Sequence, residues 1–172
     1  MKNIKKHTIE SLFNYPTEIV TWDENYITGI ELVDNQHKEL VNITNSLFSA
    51  CLDGKEKAAE AFKDTMSHMV DYVRVHFAVE QELMKRVNFP DYDDHKLQHD
   101  LFIKDIITSA SEFQGGKTFA PNVFVRTLKD WVFSHIAYYD QSYASYVEDQ
   151  KNRGLLMEKC IICSMSAGMK QF

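Results

Sequence analysis

At 172 residues, with 19 lysines and arginines against 25 aspartates and glutamates and a formal net charge of −6, the chain can bury its own core as one domain and is too acidic for a nucleic-acid surface. No uncharged stretch is long enough to span a bilayer, and residues 1–10 carry lysines without the apolar run of a secretory signal, which points to the cytoplasm. Cys51, Cys160 and Cys163 are odd in number and two are crowded at the C-terminus, so no disulfide framework is expected and the core must do the stabilising.

Residues 1–21 read as an N-terminal extension. Its weak amphipathic pattern (Ile4, Thr8, Leu12, Phe13) breaks at Tyr15-Pro16 and suits either a short docking helix or a linker. From Val33 the inward positions run through His37, Leu40, Thr44, Leu47 and Cys51 until Asp53-Gly54 supplies a stop, which predicts a first long helix. Phe62, Met66, Met69, Val73, His76, Glu80 and Leu83 follow at alternating spacings of four and three, the seam of a second helix ending near Asn88-Phe89-Pro90. Tyr92, His95, His99, Phe102, Ile106, Ala110 and Phe113 mark a third, closed by Gly115-Gly116. A fourth starts close to Pro121 and runs through Phe124, Leu128, Trp131, His135 and Tyr139 to about Val147. The tail, 151–172, has a basic start, Gly154 and the short apolar patch Cys160-Ile161-Ile162-Cys163, suited to packing on the bundle or on a protein partner. The expected fold is all-α: an antiparallel four-helix up-and-down bundle over 22–150, with an N-terminal arm and a C-terminal helical extension.

Histidines and carboxylates avoid helix seams, because burying an unpaired charge or an unsatisfied imidazole is costly. Each of the four helices breaks that rule, with His37 on the first, His76 and Glu80 on the second, His95 and His99 on the third, His135 and Asp140 on the fourth. Residues four apart on a helix differ by roughly 40° in direction, so His76 with Glu80, and His95 with His99, can grip a common object. Asp140, five beyond His135, approaches from farther round, which suits a bridge between two metals. One such pair is a common accident; seven inward polar side chains on four helices are not.

The sequence resembles the hemerythrin family, specifically the bacterial hemerythrins, through Trp22-x3-Tyr26-x2-Gly29-Ile30, Asp34-x-Gln36-His37, His76-Phe77-x2-Glu80, His95-x3-His99 and Trp131-x3-His135-Ile136-x3-Asp140. The resemblance implies that His95, His99 and His135 bind one iron, that His37 and His76 bind another, and that Glu80 and Asp140 bridge the two. It further implies that the irons cycle between Fe2+ and Fe3+ under an oxo or hydroxo bridge, with dioxygen as ligand. Five imidazoles, two bridging carboxylates and one bridging oxygen leave one position open of the roughly twelve that two octahedral metals require. That vacancy belongs to the two-histidine metal.

On this reading the protein is an oxygen carrier or store and not an enzyme. The alternatives are an oxygen or redox sensor acting through a partner, and behind it a di-iron peroxidase or di-metal hydrolase. Val132, Trp131 and Phe77 are expected to line a dry oxygen pocket. Val132 stands where the family commonly has Leu, and Gln81 where it often has Glu. Trp22, Tyr26 and Tyr143 match family positions and are expected to be structural, with polar tips that need partners.

Overall fold

The computed structural model describes residues 18–155. A short 3-10 turn, Glu24–Tyr26, precedes four long rods. These are α1 (Glu31–Asp53), α2 (Lys55–Arg86), α3 (Tyr92–Gln114) and a fourth rod in three consecutive parts: α4 (Ala120–Trp131), a π-helical stretch (Val132–Asp140) and α5 (Gln141–Asn152). α1 packs on α2 and α4, and α3 closes the ring between α2 and α4, so the expected all-helical bundle forms. The patterns at Ile4, Thr8, Leu12 and Phe13, and at Cys160 to Cys163, lie outside the described residues.

The connections are short because the chain has residues that can turn sharply. Gly54 alone joins α1 to α2 with a φ of 119°, a conformation closed to residues with a Cβ. α2 ends on Asn88 at φ 51°. Asn88 N–H donates to Lys85 O at 3.1 Å and Phe89 N–H to Met84 O at 2.9 Å, the paired bonds of a Schellman end, and Phe89 turns back into the core. The approach to α1 is tied from within the helix. Asp34 accepts from the Thr28 and Gly29 amides and from the Thr28 hydroxyl, while Asn45 accepts from the Ile19 and Val20 amides and donates to Val20 O.

Two apolar clusters fill the bundle. The larger gathers Leu40, Phe62, Met69, Tyr72, Phe77, Phe102, Phe124, Leu128, Trp131, Val132 and Ile136 among others. The smaller gathers Ile30, Val33, Leu83, Met84, Val87, Phe89, Tyr143 and Val147. On three of the rods an inward polar residue falls between members of the two clusters: His37 lies between Val33 and Leu40, Glu80 between Phe77 and Leu83, and Asp140 between Ile136 and Tyr143. A polar layer is therefore sealed by apolar side chains above and below.

Two differences from the sequence expectation matter for that layer. On α2, Thr65 and Tyr72 are buried whereas Met66 and Val73 are only half-buried, because a true helix drifts relative to a strict seven-residue repeat. The fourth rod does not keep one winding. Its π stretch covers both His135 and Asp140, and such stretches are uncommon and concentrate at functional sites.

Candidate metal centre

All seven seam residues meet in one place, and none is more than 1% exposed. Their ligand-type atoms form two overlapping groups: Glu80, His95, His99, His135 and Asp140 on one side, and His37, His76, Glu80 and Asp140 on the other. The two carboxylates belong to both. Asp140 is split between the sides, with Oδ1 3.2 Å from His135 Nε2 and 3.4 Å from His95 Nε2, and Oδ2 3.1 Å from His37 Nε2. Glu80 presents Oε2 to His99 at 3.1 Å, to His76 at 3.5 Å and to His95 at 3.8 Å, and Oε1 to His37 at 3.9 Å.

The winding of the fourth rod makes the Asp140 contacts possible. In an α-helix, residues five apart point about 140° away from one another. Hydrogen bonding from residue i to i+5 instead stacks them on one face. Asp140 therefore does not come in from farther round, as its spacing suggested; it sits on the same face as His135 and still reaches both groups.

A metal fits this cluster on two independent grounds. Ligands at right angles about a metal with bonds of about 2.1 Å stand about 3.0 Å apart. His95 Nε2 to His99 Nε2 is 3.1 Å and His99 Nε2 to His135 Nε2 is 3.0 Å. Moreover, His37 Nε2, His76 Nε2, Glu80 Oε2 and both Asp140 oxygens are buried with no hydrogen-bond partner among the described residues. Such orphans are rare, and five of them converging on one spot call for a cation. The cluster fits a binuclear metal site.

The electrostatics of the layer follow from its dryness. Burial disfavours the charged imidazole and pushes His76 down to about 3; it lowers His99 too. Burial opposes the charge on Glu80 as well, yet the facing His76, His95 and His99 hold its carboxyl well below the usual range. Burial and Glu80 push Asp140 up, but His135 and His37 pull it down further. His37 is raised, because Asp140 and Glu80 outweigh the cost of burying it. Imidazoles held neutral at His76 and His99 beside ionised Glu80 and Asp140 are protonation states that suit a metal.

Neighbours orient the candidate ligands. His76 Nδ1 lies 2.9 Å from Gln36 Oε1, so the ring donates there and keeps Nε2 as a lone pair. The Tyr143 hydroxyl donates to Glu80 Oε1 at 2.8 Å, which gives its polar tip the partner the sequence reading required. Gln81 Nε2 is 3.4 Å from His99 Nδ1. Phe77 stacks on His99 with ring centroids 3.7 Å apart and Trp131 on His135 at 3.8 Å, so both aromatics hold imidazoles of the three-histidine side. Val132 is wholly buried in the larger apolar cluster. Trp22 meets Tyr26 edge to face at 5.6 Å.

Sequence reasoning missed two contributors. Gln36 was read only as part of a motif, since a half-buried glutamine beside a ligand looks like surface. Tyr72, four residues before His76, looks like ordinary core; it stacks on His76 with centroids 4.6 Å apart, and its hydroxyl is buried without a partner among the described residues. Its position one turn from a ligand was the available signal.

Comparison with known proteins agrees with this geometry. The family model described as the hemerythrin HHE cation binding domain matches residues 28–147. A bacteriohemerythrin from Pseudomonas aeruginosa strain PAO1 is 33% identical over 153 residues, covering 89% of this chain and 97% of that protein. One from Stenotrophomonas maltophilia is 32% identical over 136 residues, covering 78% and 86%. A hemerythrin-like protein from Naegleria gruberi is 32% identical over 136 residues, covering 79% and 94%. Among solved structures, single-residue mutants of hemerythrin superpose with a TM-score of 0.60 at 23% identity, over 74% of this chain and 96% of theirs, which speaks to the fold.

Proposed function

The chain belongs to the hemerythrin family, and on that premise we propose that it binds dioxygen reversibly at two irons, as a carrier or store. The observation that carries the reading is the sharing of Glu80 and Asp140 between a three-histidine group and a two-histidine group. Shared carboxylates suit a pair of metals, and unequal histidine numbers suit one saturated metal and one open to a ligand. Two irons bound there would supply electrons to dioxygen and one open position for it.

The residues have the following parts in this reading. His95, His99 and His135 hold one metal, and His37 and His76 the other, with Glu80 and Asp140 between them. Gln36 fixes the His76 ring through Nδ1, and Tyr143 fixes Glu80 through Oε1. Phe77 and Trp131 lock the rings of His99 and His135 by stacking. Val132, buried in the cluster that caps the layer, serves as a wall of the oxygen pocket. The sealed apolar surroundings exclude water, which guards against proton leakage and irreversible oxidation of the metals.

The test is direct. Protein expressed with ample iron is expected to hold two irons per chain, and after anaerobic reduction a visible band should appear in air and vanish on degassing. One metal per chain, zinc in place of iron, or a band that persists after degassing would overturn the reading.

A further inference from the structure

Tyr72 is the one aromatic against the two-histidine side whose polar atom the site does not use. Its side chain is 6% exposed, and its hydroxyl has no hydrogen-bond partner among the described residues. A buried hydroxyl without a partner gives up its bonds to water for nothing in return, and native proteins seldom tolerate that without a ligand to complete the contact. Tyr72 and His76 are four apart on α2 and their rings stack at 4.6 Å with 28° between planes, so the two side chains enter the bundle side by side from one helix face. A phenol hydroxyl carries its proton at neutral pH, so toward an electron-rich ligand Tyr72 acts as a donor.

The surroundings narrow what can take that proton. The charged groups that act on Tyr72 are Glu80 and Asp140 of the metal cluster and Glu39 of α1, and none of them forms a hydrogen bond with its hydroxyl; His76 turns Nδ1 to Gln36, and Glu80 turns Oε1 to Tyr143. Phe77, with its ring centroid 6.2 Å away, and the larger apolar cluster to which Tyr72 belongs pack around the tyrosine ring. We propose that the Tyr72 hydroxyl is the hydrogen-bond donor for the outer atom of an electron-rich diatomic or linear ligand seated at the two-histidine side. This rests on the di-iron reading above, in which that side carries the open position. It adds a selective polar contact to a pocket otherwise walled by apolar groups such as Val132.

Azide is the probe, and the full chain loaded with iron and oxidised is the sample. The wild type should bind azide with a visible charge-transfer band, and Tyr72→Phe should bind it about tenfold more weakly, the loss expected for one hydrogen bond to a charged acceptor. A second readout needs no metal. Without metal, Tyr72→Phe should unfold at the same denaturant concentration as the wild type or higher, because no bond is lost and a buried orphan is removed. Equal azide affinity in the two proteins overturns the proposal while leaving the di-iron reading intact. A lower unfolding midpoint for metal-free Tyr72→Phe also overturns it, since the hydroxyl would then already have a partner. If the iron-loaded wild type itself takes no azide, the open position fails, and the proposal fails with it.

Discussion

Single side chains divide here into those that hold, those that orient and those that exclude. In the proposed site His37 holds, and His76 is the other histidine on its side of the cluster. His37→Ala should leave about one metal per chain on the three-histidine side and abolish the oxygenation band; two metals with normal oxygenation would show that another residue is the ligand. In the proposed pocket Val132 excludes, and two effects compete when it is enlarged. Val132→Leu adds one methylene to a wholly buried position, and overpacking of that kind costs about 1 kcal/mol or more of stability. The larger side chain should also keep water and anions out, so the oxygenated form is expected to decay in air several-fold more slowly even though the protein melts lower. A decay rate equal to or above that of the parent would move the duty of exclusion to neighbours such as Phe77.

The elements differ in how far their roles were legible from sequence. α1, α2 and α3 place their ligands by ordinary helical spacing, so His37, the His76 and Glu80 pair and the His95 and His99 pair stood out as polar residues where apolar ones belong. The π stretch was not legible. Its residues, Val-Phe-Ser-His-Ile-Ala-Tyr-Tyr-Asp, carry no signal for that winding, which places His135 and Asp140 on one face. Tyr72 was hidden for a different reason: a tyrosine near a seam is normally core, and only the missing partner of its hydroxyl marks it. The winding can be tested by moving the carboxylate. If the fourth rod were α-helical, a carboxylate four residues after His135 would serve as Glu80 serves His76. With the π winding, the paired change Tyr139→Asp and Asp140→Ala should lose at least one metal per chain at unchanged far-ultraviolet helix signal. Two metals retained by that variant would mean that the winding is not what delivers the carboxylate.

For the whole molecule, the consequence of a polar layer between two apolar clusters is a dependence of stability on pH and on metal. Folding puts His76 and His99 where burial lowers their proton affinity, and Glu80 and Asp140 where facing imidazoles hold them ionised. Each of these four groups binds protons more readily in the unfolded chain, so each contributes stability that is present above its unfolded value and is lost as pH falls through it. For the two histidines that loss begins near pH 6.5, and for the carboxylates near pH 4. His37 has the opposite sign: its raised proton affinity contributes stability below about pH 6.5 that disappears as pH rises. Two lowered histidines against one raised leave a net loss on acidification. The metal-free protein should therefore melt lower at pH 5 than at pH 7. Bound metal adds stability in proportion to how tightly the folded state holds it, and acid competes for the same nitrogens and oxygens. The gap in melting temperature between metal-loaded and metal-free protein should accordingly be widest near neutrality and shrink towards pH 5. Circular dichroism melts of both forms across that range decide the matter. A metal-free midpoint that rises on acidification would show that the His37 and Asp140 contact, 3.1 Å long and wholly buried, outweighs the burial of His76 and His99.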